Sequence, residues 1–202
     1  MNQMQSYWDD RYMQHKQQTV GNIGFNKEQF EKVTNESQDL IRKQFGPYIA
    51  GPILDFGCGY GRNTKVLKKF TKEVHGADIN QWALDIAKQA DPSVEYWLYG
   101  GGPLPFSNKA FGSIMSWTVL QHIPTPEIYP LSVEFDRVLL PGGYLLLFEN
   151  ITVGNGHEAV FFRPSNFYRM LWKGYIQVKV KPIYGIDGNT EMHALIVLQK
   201  PE

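Results

Sequence analysis

The residues best placed to do chemistry are Asp55-x-Gly57-x-Gly59-x-Gly61, inside ILDFGCGYGRNT from Ile53 to Thr64. An apolar run ends on a carboxylate, and three glycines then alternate with other residues. Glycine lets a backbone approach a ligand closely and adopt conformations closed to other residues. Two phosphate-binding alternatives fail on spacing. A dinucleotide loop reads GxGxxG, and Arg62 holds the third glycine position here; a P-loop ends in Gly-Lys-Ser/Thr, which does not occur. A carboxylate at Asp55 repels a pyrophosphate and attracts an ammonium group. The loop therefore suits a zwitterion, with backbone N–H groups for its carboxylate and Asp55 on its cationic side. A plain tight turn is the competing reading.

The flanking elements must hold this loop in place. Residues up to about Gly46 are polar and rich in Gln and Asn. Within them NKEQFEKVTNESQDLIRKQFG sets Phe30, Val33, Leu40, Ile41 and Phe45 at helical spacing, ending at Gly46-Pro47. Apolar runs and helical patterns then alternate. PILDF, EVHGADI, VEYWLY, SIMSWTV and YLLLFEN read as strands. RNTKVLKKF, with Val66, Leu67 and Phe70 inward, QWALDIAKQA and PEIYPLSVEFDRVLL read as helices. Pro141-Gly142-Gly143 reads as a break before the fifth strand. Such alternation predicts a parallel sheet covered on both faces. SNFYRMLWKG reads as a last helix. YIQVKVKPIYG and EMHALIVLQK, separated by the turn-rich IDGNT, are too close for a parallel crossover and predict an antiparallel hairpin. The expected division is a helical arm or lid over residues 1–46 and one domain over 47–202.

Length and composition bound the partners. A chain of 202 residues suits one domain with a sizeable core, and 43% hydrophobic with 20% charged residues is ordinary for a globular protein. Lys+Arg and Asp+Glu both total 20, which weighs against a phosphate-backbone partner. The stripe Lys65, Lys68, Lys69 and Lys72 reads as a solvated helix face. No apolar run reaches the roughly 18–20 residues that cross a bilayer. No signal peptide is visible, so the cytoplasm is the expected compartment. The single cysteine, Cys58, excludes an internal disulfide and a multi-cysteine metal cluster, and no metal is expected.

Four ordered motifs, spanning about Ile53 to Glu149, resemble the class I S-adenosylmethionine-dependent methyltransferases. These are the Asp55–Gly61 loop, Asp78 in VHGADIN, Leu104–Pro124 and Leu139–Leu147. The resemblance implies a Rossmann-like sheet of five parallel strands plus a C-terminal antiparallel hairpin, with helices on both faces. It implies S-adenosyl-L-methionine as cofactor and S-adenosyl-L-homocysteine as product. Asp55, Gly57, Gly59, Gly61 and Arg62 then bind the cofactor from the loop. Asp78 takes the ribose hydroxyls, where a helix cap is the alternative. Ile79, Trp82, Leu98 and Tyr99 offer sides for adenine, and Trp117 borders the methionine part. Tyr7, Trp8, Arg11 and Tyr12 in YWDDRY resemble the opening of small-molecule members, as a lid; a plain staple onto the sheet competes. Two departures stand out. Gly100 falls where the family often keeps an adenine-binding acid, and Phe111-Gly112 replaces the frequent Phe-Asp.

Methyl transfer from a sulfonium is an in-line displacement, so the protein mainly aligns the nucleophile and excludes water. A hydroxyl or amine acceptor calls for a base, and His122, Glu149 and His157 are the candidates. Arg163 and Tyr168 are candidate substrate contacts. Charge neutrality, modest insertions and the absence of any Pro-Pro pair favour a small-molecule acceptor. A cofactor-binding protein without transfer activity, or a protein or nucleic-acid methyltransferase, stays open at this point.

Overall fold

A computed structural model describes residues 3–16, 25–152, 159–184 and 192–202. Seven strands form one sheet in the order β3-β2-β1-β4-β5-β7-β6. They are β1 (Ile53–Phe56), β2 (Val74–Asp78), β3 (Glu95–Leu98), β4 (Phe111–Trp117), β5 (Leu139–Asn150), β6 (Ile176–Tyr184) and β7 (Met192–Gln199). The first five are mutually parallel. β7 pairs antiparallel with both β5 and β6, so the expected hairpin extends the sheet at one edge. IDGNT lies outside the described residues. The chain leaves β1 toward β2 and β3, then returns to its other side for β4 and β5. Where such an order reverses, the turns part and leave a crevice at the carboxyl ends of the strands.

Two apolar clusters show why the sheet is covered on both faces. Leu54, Phe56, Ile114, Leu145 and Leu147 point to one. Ile53, Met115, Leu146 and Phe148 point to the other. This is the two-residue alternation of a strand buried on both sides, and all seven residues of β4 are buried. Helices α1 (Gln3–His15), α2 (Lys27–Leu40), α3 (Thr64–Leu67), α4 (Gln81–Ala90), α5 (Thr125–Val138) and α6 (Ser165–Leu171) surround it. A capping box starts α2: Asn26 Oδ1 accepts the Gln29 N–H and Gln29 Oε1 accepts the Asn26 N–H, each at 2.9 Å. α2 continues into a π-helical turn, Ile41–Phe45, whose two end residues are buried. No described helix is long and apolar enough to cross a membrane.

Three local expectations are corrected. The helix after the glycine loop is four residues long, so Val66 and Leu67 are buried while Phe70 is 40% exposed. The Pro141-Gly142-Gly143 break is absorbed into β5, with Gly142 at φ 73°, because Leu139 already pairs with Phe111. Gly112 is a packing requirement: a Cβ there would stand 2.1 Å from the Ala50 carbonyl oxygen, and its N–H donates to Pro52 O at 2.9 Å. β3 and β6 form the sheet edges, and β6 carries Lys179, Lys181 and Pro182.

Forcing a methyl into that contact moves backbone against backbone. Gly112→Ala is expected to destabilise the fold by about 1–3 kcal/mol. Gly174→Ala, with nothing within 4 Å of its added Cβ, should be near neutral. Urea denaturation of the two variants checks the contrast.

Candidate active site

A cavity of about 650 Å³ opens at the carboxyl ends of β1 and β4, where the strand order reverses. Its polar end begins at the glycine turn. Gly57 and Cys58 donate N–H bonds to Ala77 O at 2.7 and 3.1 Å, which ties the turn to β2. Gly57, Gly59 and Gly61 have φ of 74°, 54° and 81°, in the left-handed region that glycine adopts without penalty. A Cβ on Gly57 would also lie 2.1 Å from Val119 Cγ2, so the glycine lets the turns after β1 and β4 close on each other.

Two carboxylates serve this end. Asp78 Oδ2 accepts the Gly59 N–H at 2.8 Å and Oδ1 accepts the Asn80 N–H at 2.9 Å. The Ile79 N–H also bears on this carboxylate; an ionised carboxylate has about four acceptor positions, so room remains for a further hydroxyl donor. Asp55 Oδ2 accepts the Thr64 hydroxyl at 2.6 Å. Burial pushes the Asp55 carboxyl up to about 7, and burial also raises Asp78. A cationic ligand group beside Asp55 would offset that desolvation.

Other predicted contacts divide. Arg62, Ile79, Tyr99, Gly100 and Trp117 line the cavity. Gly59 and Gly61 shape the turn without lining it. Leu98, 48% exposed on edge strand β3, turns away from the cavity, and Trp82 is also exposed. At Gly100 the wall is backbone rather than an acid. The segment beyond it is pinned by Arg137, whose guanidinium donates to Leu104 O and Phe106 O at 2.9 and 2.7 Å.

Tyr7, Trp8, Arg11 and Tyr12 all line the cavity from one face of α1. Their spacing brings positions one helical turn apart together. The Arg11 guanidinium lies 5.9 Å from the Tyr7 ring centroid and 5.8 Å from that of Trp8. Asn80 Nδ2 donates to Asp9 Oδ1, fastening α1 to the start of α4. The buried Tyr12 hydroxyl and Asn63 Oδ1 have no hydrogen-bond partner among the described residues, and both residues line the cavity. Buried polar atoms of this kind are satisfied by water or ligand.

The far end is organised by the 3-10 turn Leu120–His122. Glu149 was expected at the reacting rim. It is instead fully buried, accepting the Ser116 hydroxyl at 2.6 Å and the Gln121 N–H at 3.1 Å. Arg163 was expected to meet substrate. It braces the same turn from the other side, donating to Leu120 O at 2.9 Å and Ile123 O at 2.6 Å. Tyr168 is buried in the core beneath, and none of the three lines the cavity. His122 does line it, with Nδ1 donating to Ala159 O. His157 lies outside the described residues. Sequence reasoning missed Gln121, Thr118, Asn150 and His193, all in the lining. Thr118 holds φ 57°, a strained value for a β-branched residue, fixed by its N–H to Phe148 O at 2.6 Å. Asn150 and His193 are cross-strand partners in β5 and β7, a pairing that only register reveals.

A crevice at the sheet's switch point, with a glycine turn on one side and an acid after β2 on the other, is the frame of the class I S-adenosylmethionine-dependent methyltransferases. Residues 54–147 match the methyltransferase-domain family. A demethylmenaquinone methyltransferase of Tropheryma whipplei is 30% identical over 147 residues, 72% of this chain and 57% of that protein. A ubiquinone biosynthesis O-methyltransferase of Mesorhizobium japonicum is 26% identical over 121 residues, 54% of this chain and 48% of that protein. The chain thus matches about half the length of these relatives. In fold, a Burkholderia thailandensis 1,6-didemethyltoxoflavin-N1-methyltransferase gives a TM-score of 0.74 at 13% identity, covering 98% of this chain and 88% of that one. Residues 54–147 of this chain thus form a methyltransferase domain, in a chain with the fold of such enzymes.

Glu149 leaves a pH signature. Burial raises its carboxyl from 4.5 to about 7, so the folded state binds more protons than the unfolded state between those values. Its stabilising contribution is complete below the unfolded value and is lost as pH rises through about 7; Asp55 acts in the same direction. Glu149→Gln should flatten the decline in stability between about pH 5 and about pH 8, as read by urea midpoints across that range.

Proposed function

We propose that this chain transfers a methyl group from S-adenosyl-L-methionine to an oxygen, nitrogen or carboxylate of a small molecule, releasing S-adenosyl-L-homocysteine. The observation that carries the reading is Asp78. Its carboxylate, at the end of β2, is held by the Gly59 and Asn80 N–H groups, with the Ile79 N–H also bearing on it, and it keeps acceptor capacity for a ribose hydroxyl. The buried acceptors without partners at the same end agree with it.

The cofactor supplies a methyl already activated by positive sulfur. The protein binds, orients and excludes water. Asp55 holds the ammonium side, and the glycine turn presents backbone to the carboxylate side. Tyr99 and the glycines after it border the base. The α1 face acts as a lid from the N-terminal arm, which closes over the single domain that follows. The far end, with His122, Asn150 and a mixed polar and apolar wall, takes the acceptor. The relatives named for demethylmenaquinone and ubiquinone biosynthesis support a small organic acceptor.

Calorimetry with S-adenosylhomocysteine tests the binding half. Asp78→Ala should weaken uptake about 10–100-fold, the range for lost hydrogen bonds to a charged group. Unchanged affinity refutes the ribose assignment. Because the ammonium favours ionised Asp55, affinity should rise with pH and level off above about 7. Asp55→Asn should remove that dependence. Transfer of label from S-adenosylmethionine to a panel of phenols, amines and acids tests the chemistry.

A further inference from the structure

Asp78, Ile79 and Asn80 carry the chain from β2 into α4, and each serves a different party. Asp78 and Ile79 line the cavity. Asn80 does not line it and is 1% exposed. Its N–H donates to Asp78 Oδ1 at 2.9 Å. Its Oδ1 accepts the Ala83 N–H at 2.8 Å and caps α4. Its Nδ2 donates to Asp9 Oδ1 of α1. One amide orientation serves both side-chain bonds. A backbone N–H only donates, so the oxygen faces Ala83, and the NH2 group is left for a carboxylate that only accepts. Capping alone does not explain the residue type. Aspartate caps a helix about as well, yet it has no donor for Asp9 and would set charge against charge.

α1 needs such an attachment. Among its described residues Met4 and Tyr12 are the buried ones. A helix of thirteen residues standing alone is marginal in water. Yet α1 supplies Tyr7, Trp8, Arg11 and Tyr12 to the cavity wall. Tyr12 also lies within electrostatic reach of Asp78. α1 thus bears on that acid by two routes, the Asn80 amide and the Tyr12 side chain.

Resting on the methyl-transfer reading above, we propose that Asn80 is a positioning residue that couples the bound nucleoside to the lid. A nucleoside seated on Asp78 and Ile79 fixes the turn. The turn, through the Asn80 amide and Asp9, then holds α1 closed over the cavity. Coupling between two sites is reciprocal, so a docked α1 tightens the hold on the nucleoside in turn. The wall that excludes water is therefore secured while the nucleoside is present and loosens when it leaves. Asn80 does this without touching the ligand.

Exchanging the two partners tests the coupling. S-adenosylhomocysteine should add hydrogen-exchange protection to Gln3–His15 in the unsubstituted protein. Asn80→Asp keeps the cap on α4 but loses the donor to Asp9. It should weaken calorimetric uptake of S-adenosylhomocysteine about tenfold and abolish the added protection. Asp9→Asn on top of it supplies the donor from the other side, and the double variant should regain both. A merely structural role in capping α4 predicts no such recovery. Asp9→Ala leaves the turn itself unaltered and should reproduce the loss, which decides the matter if Asn80→Asp does not fold. No uptake by the unsubstituted protein overturns the methyl-transfer reading and this one with it. Three results, each alongside normal uptake by the unsubstituted protein, overturn this proposal alone: equal protection of α1 with and without ligand, undiminished affinity in either single variant, or no recovery in the folded double variant.

Discussion

A carboxylate removed from water needs donors, and three of them sit where parallel strands deliver the chain to the site. Asp55 near the end of β1, Asp78 at the end of β2 and Glu149 near the end of β5 are satisfied by the turns that build the cavity. Leaving such a group uncompensated costs more than any single apolar contact here returns. The turns are therefore held in the shapes that bring a hydroxyl or N–H to each acid. Asp78 draws the glycine turn toward β2, and Glu149 draws the 3-10 turn toward β5. The site is shaped as much by these internal demands as by any ligand.

The two ends of the cavity carry different physical characters. One is acidic and backbone-lined, suited to a polar, zwitterionic nucleoside. The other is mixed, with Ile123, Leu131 and Val160 beside Gln121, His122, Glu127 and the cross-strand Asn150–His193 pair. The stack of Trp117 on Phe148 at 4.1 Å, continued by His193 on Phe148 at 5.0 Å, links the ends through β4, β5 and β7. A fold of this kind hosts many reactions. The acidic end follows from the glycine turn and the acids after β1 and β2, and the far end is built from α1, the turn after β4, α5, β5 and β7.

Much of this was legible in the residue order. Alternating strand and helix patterns foretold the parallel sheet, and the short spacing before β7 foretold the hairpin. The aromatic cluster at Tyr7–Tyr12 became a cavity face once it coiled into a helix. What failed did so for tertiary reasons. Glu149 and Arg163 were legible as polar residues near the rim. Whether each faces the cavity or the backbone behind it depends on neighbours far along the chain. Leu98 belongs to an edge strand, so its apolar character did not ensure burial. Gly112 looked like a gap in a cofactor motif; its real partner is the Ala50 carbonyl, contributed by a segment some sixty residues earlier. Thr118 gave no signal at all, because a strained backbone leaves no mark on composition.

The appended hairpin also decides where the sheet stops. A strand at the margin invites a stranger to pair with it unless its row of amides is interrupted or its flank is charged. β6 does both: Pro182 has no amide hydrogen to offer, and Lys179 and Lys181 flank it. At the opposite margin β3 spans only four residues, too short to template much. The architecture thus guards both borders against runaway strand addition while its middle stays open for chemistry.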